Sequence, residues 1–136
     1  MNSRQIRWRA VAGSFVLAEV ALIGAAFAWV AIYSHALNPG QPFAVYQAHA
    51  QVAGPWVSIL MGMPVFFALG RWVLVNKPSA WTLYGLYLAM DVTVLAAMPV
   101  QPGSFPWLLV ALSYLTKLAA LALGVQMASV SRPLAQ

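Results

Sequence analysis

The stretch AVAGSFVLAEVALIGAAFAWVAIY, residues 10–33, contains a single charged side chain, Glu19, and no proline. A helix that crosses a bilayer needs about 20 mainly apolar residues to span a hydrocarbon core of about 30 Å. Residues 10–33 meet that requirement. Three further stretches do so as well, at about 45–70, 80–98 and 107–130. The breaks between them are rich in turn formers: Asn38-Pro39-Gly40-Gln41-Pro42, Asn76-Lys77-Pro78-Ser79 and Pro99-Val100-Gln101-Pro102-Gly103. Such groupings end helices through steric clash and a missing N–H donor. Ser79 is the expected N-cap of the third helix, and Ser104 with Pro106 precedes the fourth. The expected fold is all-α: one domain over residues 1–136, an integral-membrane four-helix bundle.

The rest of the composition agrees. Of 136 residues, 62% are hydrophobic and only 7% are charged. Soluble domains carry about 25% charged residues, so this chain lacks the means to cover a water-facing surface. Disorder needs the opposite balance, low hydrophobicity with high charge. With no cysteine, disulfides, thiolate metal sites and cysteine nucleophiles are excluded together. The net charge of +5 does not indicate nucleic acid, because the basic residues sit where apolar segments end and do not gather on one face.

Those basic residues set the expected direction. Arg4, Arg7 and Arg9 precede the first segment, Arg71 and Lys77 flank the second connection, and Arg132 follows the last segment. The first and third connections have no Lys or Arg. Basic loops stay on the cytoplasmic side, so both termini are expected there. Trp8, Trp72, Trp81 and Trp107 mark span ends, as interfacial anchors do. A cleavable leader is the rival for the first segment, with Ser34-His35-Ala36 as its processing site. Leader cores run about 7–15 residues, however, and this one is longer and contains Glu19, so it is kept as a span. The expected location is a cell membrane, with a multi-pass topology like that of bacterial inner-membrane proteins.

Charged groups inside a span are costly and mark candidate sites. Glu19 lies about 14 Å from the cytoplasmic end of its segment, Asp91 about 16 Å from the same side, and Lys117 about 15 Å from the other. All three are expected to meet near the midplane, with Lys117 paired to a carboxylate and Asp91 its nearer partner across the short third connection. One lysine cannot neutralise two carboxylates, so one of them, Glu19 first, is expected to hold a proton near neutral pH. Tyr84, Tyr87 and Asp91 share a helical face, as do Ser113, Lys117, Ala120 and Gly124, with Tyr114 alongside. On the second segment Gln47, Gln51, Gly54, Ser58 and Met61 form a stripe leading in from the outer side. Pro55 and Pro64 leave the Gln51 and Leu60 carbonyls without their usual donors. The expected product is a polar funnel ending at the charged cluster.

These residues predict binding or proton-linked transport of a small polar or amphipathic solute. Glu19 or Asp91 exchanges the proton, and Lys117, Tyr84, Tyr87, Gln51, Ser58, Ser113 and Tyr114 contribute to the site. The alternative is a non-catalytic accessory subunit of a larger membrane complex, with the charged cluster as a structural helix lock. An enzyme acting on a lipid-like substrate comes third. Nothing calls for a cofactor or metal: His35 and His49 are the only histidines, and the Met61 and Met63 sulfurs point apart on one helix. The expected partners are the bilayer and a small solute. Small-residue seams at Ala120, Gly124 and Ala128, at Ala21 and Ala25, and at Gly24 and Ala28 suggest a homodimer or a larger complex.

Overall fold

The computed structural model describes residues 5–99, 103 and 105–131. They form four helices and no strand: α1 Trp8–Ile32, α2 Phe43–Ala68, α3 Lys77–Ala97 and α4 Trp107–Val130. A π-helical turn, Tyr33–Leu37, extends α1, and another, Leu69–Leu74, extends α2. All four are long and apolar enough to cross a membrane. Arg4, Arg132, the Val100-Gln101-Pro102 run and the expected cap Ser104 lie outside the described residues.

The start of α3 corrects the sequence reading. Its N-cap is Asn76, whose Oδ1 accepts the backbone N–H of Ser79 at 2.9 Å. Pro78 has no N–H and a φ suited to a helical first turn, so the helix begins before Ser79 and that residue sits at the third helical position. The Ser79 hydroxyl is left to accept the backbone N–H of Arg7 at 2.9 Å, which ties the entry of α1 to α3.

The packing order also differs from expectation. α4 packs most extensively on α2 and its π-helical extension, α1 lies against α2 and α3, and the contact between α3 and α4 is slight. The short third connection predicts α3 as the antiparallel neighbour of α4 at Lys117, yet the two touch only slightly. Glycines decide otherwise. A Cβ on Gly70 would fall 2.6 Å from the Leu121 carbonyl oxygen, and one on Gly124 would overlap the Phe67 carbonyl oxygen. Small residues permit this close backbone approach. Ala120, Gly124 and Ala128 are all buried, so that seam serves internal packing, whereas Gly24 and Ala28 on α1 are exposed.

One end of the bundle gathers the basic residues. The Arg7 guanidinium donates to the Val73 carbonyl at 3.1 Å. Arg71 donates to the Met127 carbonyl at 3.3 Å and to Ser131 Oγ at 3.0 Å. The starts of α1 and α3 and the ends of α2 and α4 therefore meet there, with Arg9 and Lys77 nearby in sequence. Among the described residues the opposite end has no Lys or Arg. The solvent rule is inverted across the bundle. Lys117 is fully buried, while Phe27, Leu60 and Leu108 are 73%, 70% and 83% exposed.

Candidate functional site

Lys117 reaches inward from α4 across the crossing with α2. Its stem fills the space beside Gly62, where a Cβ would lie 2.5 Å from Lys117 Cε and 2.9 Å from Cγ. The ammonium donates to Ser58 Oγ of α2 at 2.5 Å, Tyr87 Oη of α3 at 2.7 Å and Ser113 Oγ of α4 at 2.7 Å. An ammonium has three protons, and three hydroxyls on three helices accept them. Ser113 Oγ in turn donates to Ser58 Oγ at 3.1 Å. The ammonium also lies 5.1 Å from the Tyr87 ring centre and 5.5 Å from that of Tyr114, within cation–π range.

The expected direct ion pair does not form. Among the described residues no Lys or Arg nitrogen lies within 4.0 Å of a carboxylate oxygen. The hydroxyl cage uses every Lys117 donor, and the slight contact between α3 and α4 lets a phenol come between. Tyr114 Oη donates to Asp91 Oδ2 at 2.6 Å. The cation and the carboxylate are thus linked through the Tyr114 side chain. Glu19, on α1, is half-buried, and its Oε1 is shielded from solvent with no hydrogen-bond partner. Tyr84 takes a different role from its neighbour: its hydroxyl donates to the Tyr114 carbonyl at 2.8 Å. Phe66 stands edge-on to Tyr87 with ring centres 5.0 Å apart and to Tyr84 at 6.4 Å, which fixes both phenols.

Beside this cluster lies a partly open cavity of about 440 Å³. It reaches from Gln47, Met98 and Phe105, at the end without basic residues, down to Ser58, Asp91 and Ser113. Gln51, Gly54 and Pro55 form its α2 wall, and Tyr114 completes the floor. The expected stripe on α2 is therefore present as far as Ser58. Met61 leaves it: that side chain is exposed, and Gly62 takes the inward position. Four-residue spacing through Gly54, Ser58, Gly62, Phe66 and Gly70 is the signal that would have identified Gly62. Lys117, Tyr84, Tyr87 and Glu19 do not line the cavity. Among the described residues, only Asp91 contributes a formal charge to its wall.

At the end without basic residues, His49 stacks on Tyr33 with ring centres 3.5 Å apart, and its Nε2 accepts the indole N–H of Trp29 at 3.1 Å. Tyr46 Oη accepts the Gln41 N–H at 2.9 Å and donates to the Asn38 carbonyl at 2.9 Å, holding the first connection in place. No protein-family model matches this sequence, and no curated protein or solved structure matches it significantly.

Proposed function

We propose that this is a four-span membrane protein, both ends cytoplasmic, that binds a small polar or amphipathic solute at a site near the bilayer midplane and couples it to a proton. The inverted surface supports insertion, because its exposed side chains are those a bilayer accepts. The clustering of Arg7, Arg9, Arg71 and Lys77 at one end supports the orientation. By the same rule the fitting location is a bacterial inner membrane or its equivalent. The observation that carries the functional reading is the cavity, whose floor holds Asp91 and shares Ser58 and Ser113 with the lysine cage. Mostly apolar pockets of about 300–1,000 Å³ with a few convergent polar groups are the usual form of small-molecule sites. Asp91 meets the solute, and Glu19, with one oxygen shielded and unpartnered, is the group that carries the proton.

Solvent access tests this reading. The native chain has no cysteine, so Gln51→Cys and the lipid-facing Val52→Cys each introduce a single thiol. In sealed vesicles exposing the outer face, a charged thiosulfonate reagent reacts quickly at position 51 and slowly at 52. Equal protection of both positions would refute an open site.

One observation favours the alternative, an accessory subunit with the cluster as a helix lock. Lys117 is fully buried and its donors are saturated within the protein, as suits a purely structural group. In that case exposed tryptophans such as Trp29, Trp56 and Trp107 meet partner subunits.

A further inference from the structure

The geometry points to an organic cation, an amine or quaternary ammonium with an apolar body, as the class of solute the Asp91 cavity accepts. The inference rests on the binding-site reading above and specifies its ligand. It reverses the simplest use of the cluster, in which Lys117 would hold an anion. Lys117 is fully buried, gives its three protons to Ser58, Tyr87 and Ser113, and does not line the cavity. An anion entering from the outer end would find no cationic donor, and the carboxylate of Asp91 would repel it.

Asp91 meets the opposite requirement. Its Oδ2 accepts one hydrogen bond, from Tyr114 at 2.6 Å, and a carboxylate has about four acceptor sites. Tyr114 lines the same floor and sets an aromatic residue beside the carboxylate. Above them Val94, Leu95, Val110 and Phe105 make an apolar wall. An inorganic cation fits poorly there, since hard metal ions take about 6–8 oxygen ligands or keep several waters. An ammonium with hydrocarbon substituents needs one carboxylate, an aromatic neighbour and a greasy enclosure, and the cavity supplies all three. Lys117 opposes a cation at longer range, but its charge is taken up by three hydroxyls and two tyrosine rings.

The test compares two water-soluble probes of similar size and opposite charge, benzyltrimethylammonium and phenylmethanesulfonate. Binding is measured by equilibrium dialysis of the full chain in zwitterionic micelles, with protein-free micelles as blank. The expected result is saturable binding of the ammonium, at least tenfold weaker binding of the sulfonate, and a tenfold or larger loss in Asp91→Asn. A second variant, Ala50→Trp, fills the cavity wall without touching any charge and removes ammonium binding too. Sulfonate binding that is as tight and is removed by Ala50→Trp overturns the cation assignment while leaving the binding site intact. Ammonium binding unaffected by Ala50→Trp overturns the assignment to this cavity. If neither probe binds the native chain, the binding-site reading falls as well.

Discussion

A Cβ on Gly62 would lie 2.5 Å from Cε of Lys117, so the bundle holds a buried lysine only because α2 has no side chain at that point. A methyl group there must push the stem aside and pull the ammonium from its three acceptors. Overpacking a filled interior costs about 1–3 kcal/mol. Gly62→Ala is expected to lower stability by that amount, measured by SDS titration in mixed micelles. Gly85 is its control, since nothing lies within 4 Å of a Cβ there. Gly85→Ala is expected to be neutral or to stabilise by up to about 1 kcal/mol, through helix propensity.

The crossing of α2 and α4 is less forgiving. A Cβ on Gly124 would overlap backbone, the Phe67 carbonyl oxygen, and backbone does not swing aside. Gly124→Ala is expected to cost more than Gly62→Ala in the same titration, and Gly124→Leu to prevent recovery of folded protein.

Asp91 and Lys117 are joined through Tyr114 and not directly, which double-mutant cycles can detect. Hydrogen bonds to charged groups contribute about 1.5–3 kcal/mol. The coupling energy of Asp91→Asn with Tyr114→Phe is therefore expected to exceed that of Asp91→Asn with Lys117→Met. The reverse order would mean that the carboxylate and the ammonium meet directly in the folded protein.

The cap of α3 gives a fourth expectation. Asn76→Ala removes the acceptor of the Ser79 N–H and should cost about 1 kcal/mol. Ser79→Ala leaves that cap intact and removes only the hydroxyl that receives the Arg7 N–H. Asn76 Nδ2 also donates to the Gln5 carbonyl at 3.4 Å, so both substitutions disturb the contact between the α1 entry and α3 and are expected to add only in part in stability measurements.

Orientation is tested with the same cysteine-free background. Gly40→Cys, in the first connection, is expected to react with an impermeant maleimide from outside, and Lys77→Cys only after the membrane is opened. Labelling in the reverse order would invert the bundle.

Much of this was legible in the chain because the strongest signals are compositional. Spans of apolar residues broken by Pro and Gly fix where helices run, and the limits of α4 agree with the expected 107–130. The funnel stripe was legible through Gln47, Gln51, Gly54 and Ser58, which share one face of a single helix. What the sequence does not convey is which helices touch. That depends on Gly70 and Gly124 meeting across the bundle, a relation between residues far apart in sequence, and it placed α2, not α3, against α4. The ion-pair expectation failed for a related reason. Depth alone brought Lys117 and Asp91 to one level, but lateral packing put Ser58, Tyr87 and Ser113 around the ammonium first.

The hydroxyl cage of Lys117 also constrains hydrogens that no heavy-atom distance reports. Each oxygen facing the ammonium must turn its own hydrogen away from it; Ser113 turns its hydrogen toward Ser58, which accepts from both Ser113 and the ammonium and also lines the cavity. Were the lysine to become neutral, one hydroxyl would have to rotate and donate back to the amine. The rotamer state of two serines and a tyrosine would then register the charge on Lys117, and a guest touching Ser58 would sense that charge without ever contacting the nitrogen.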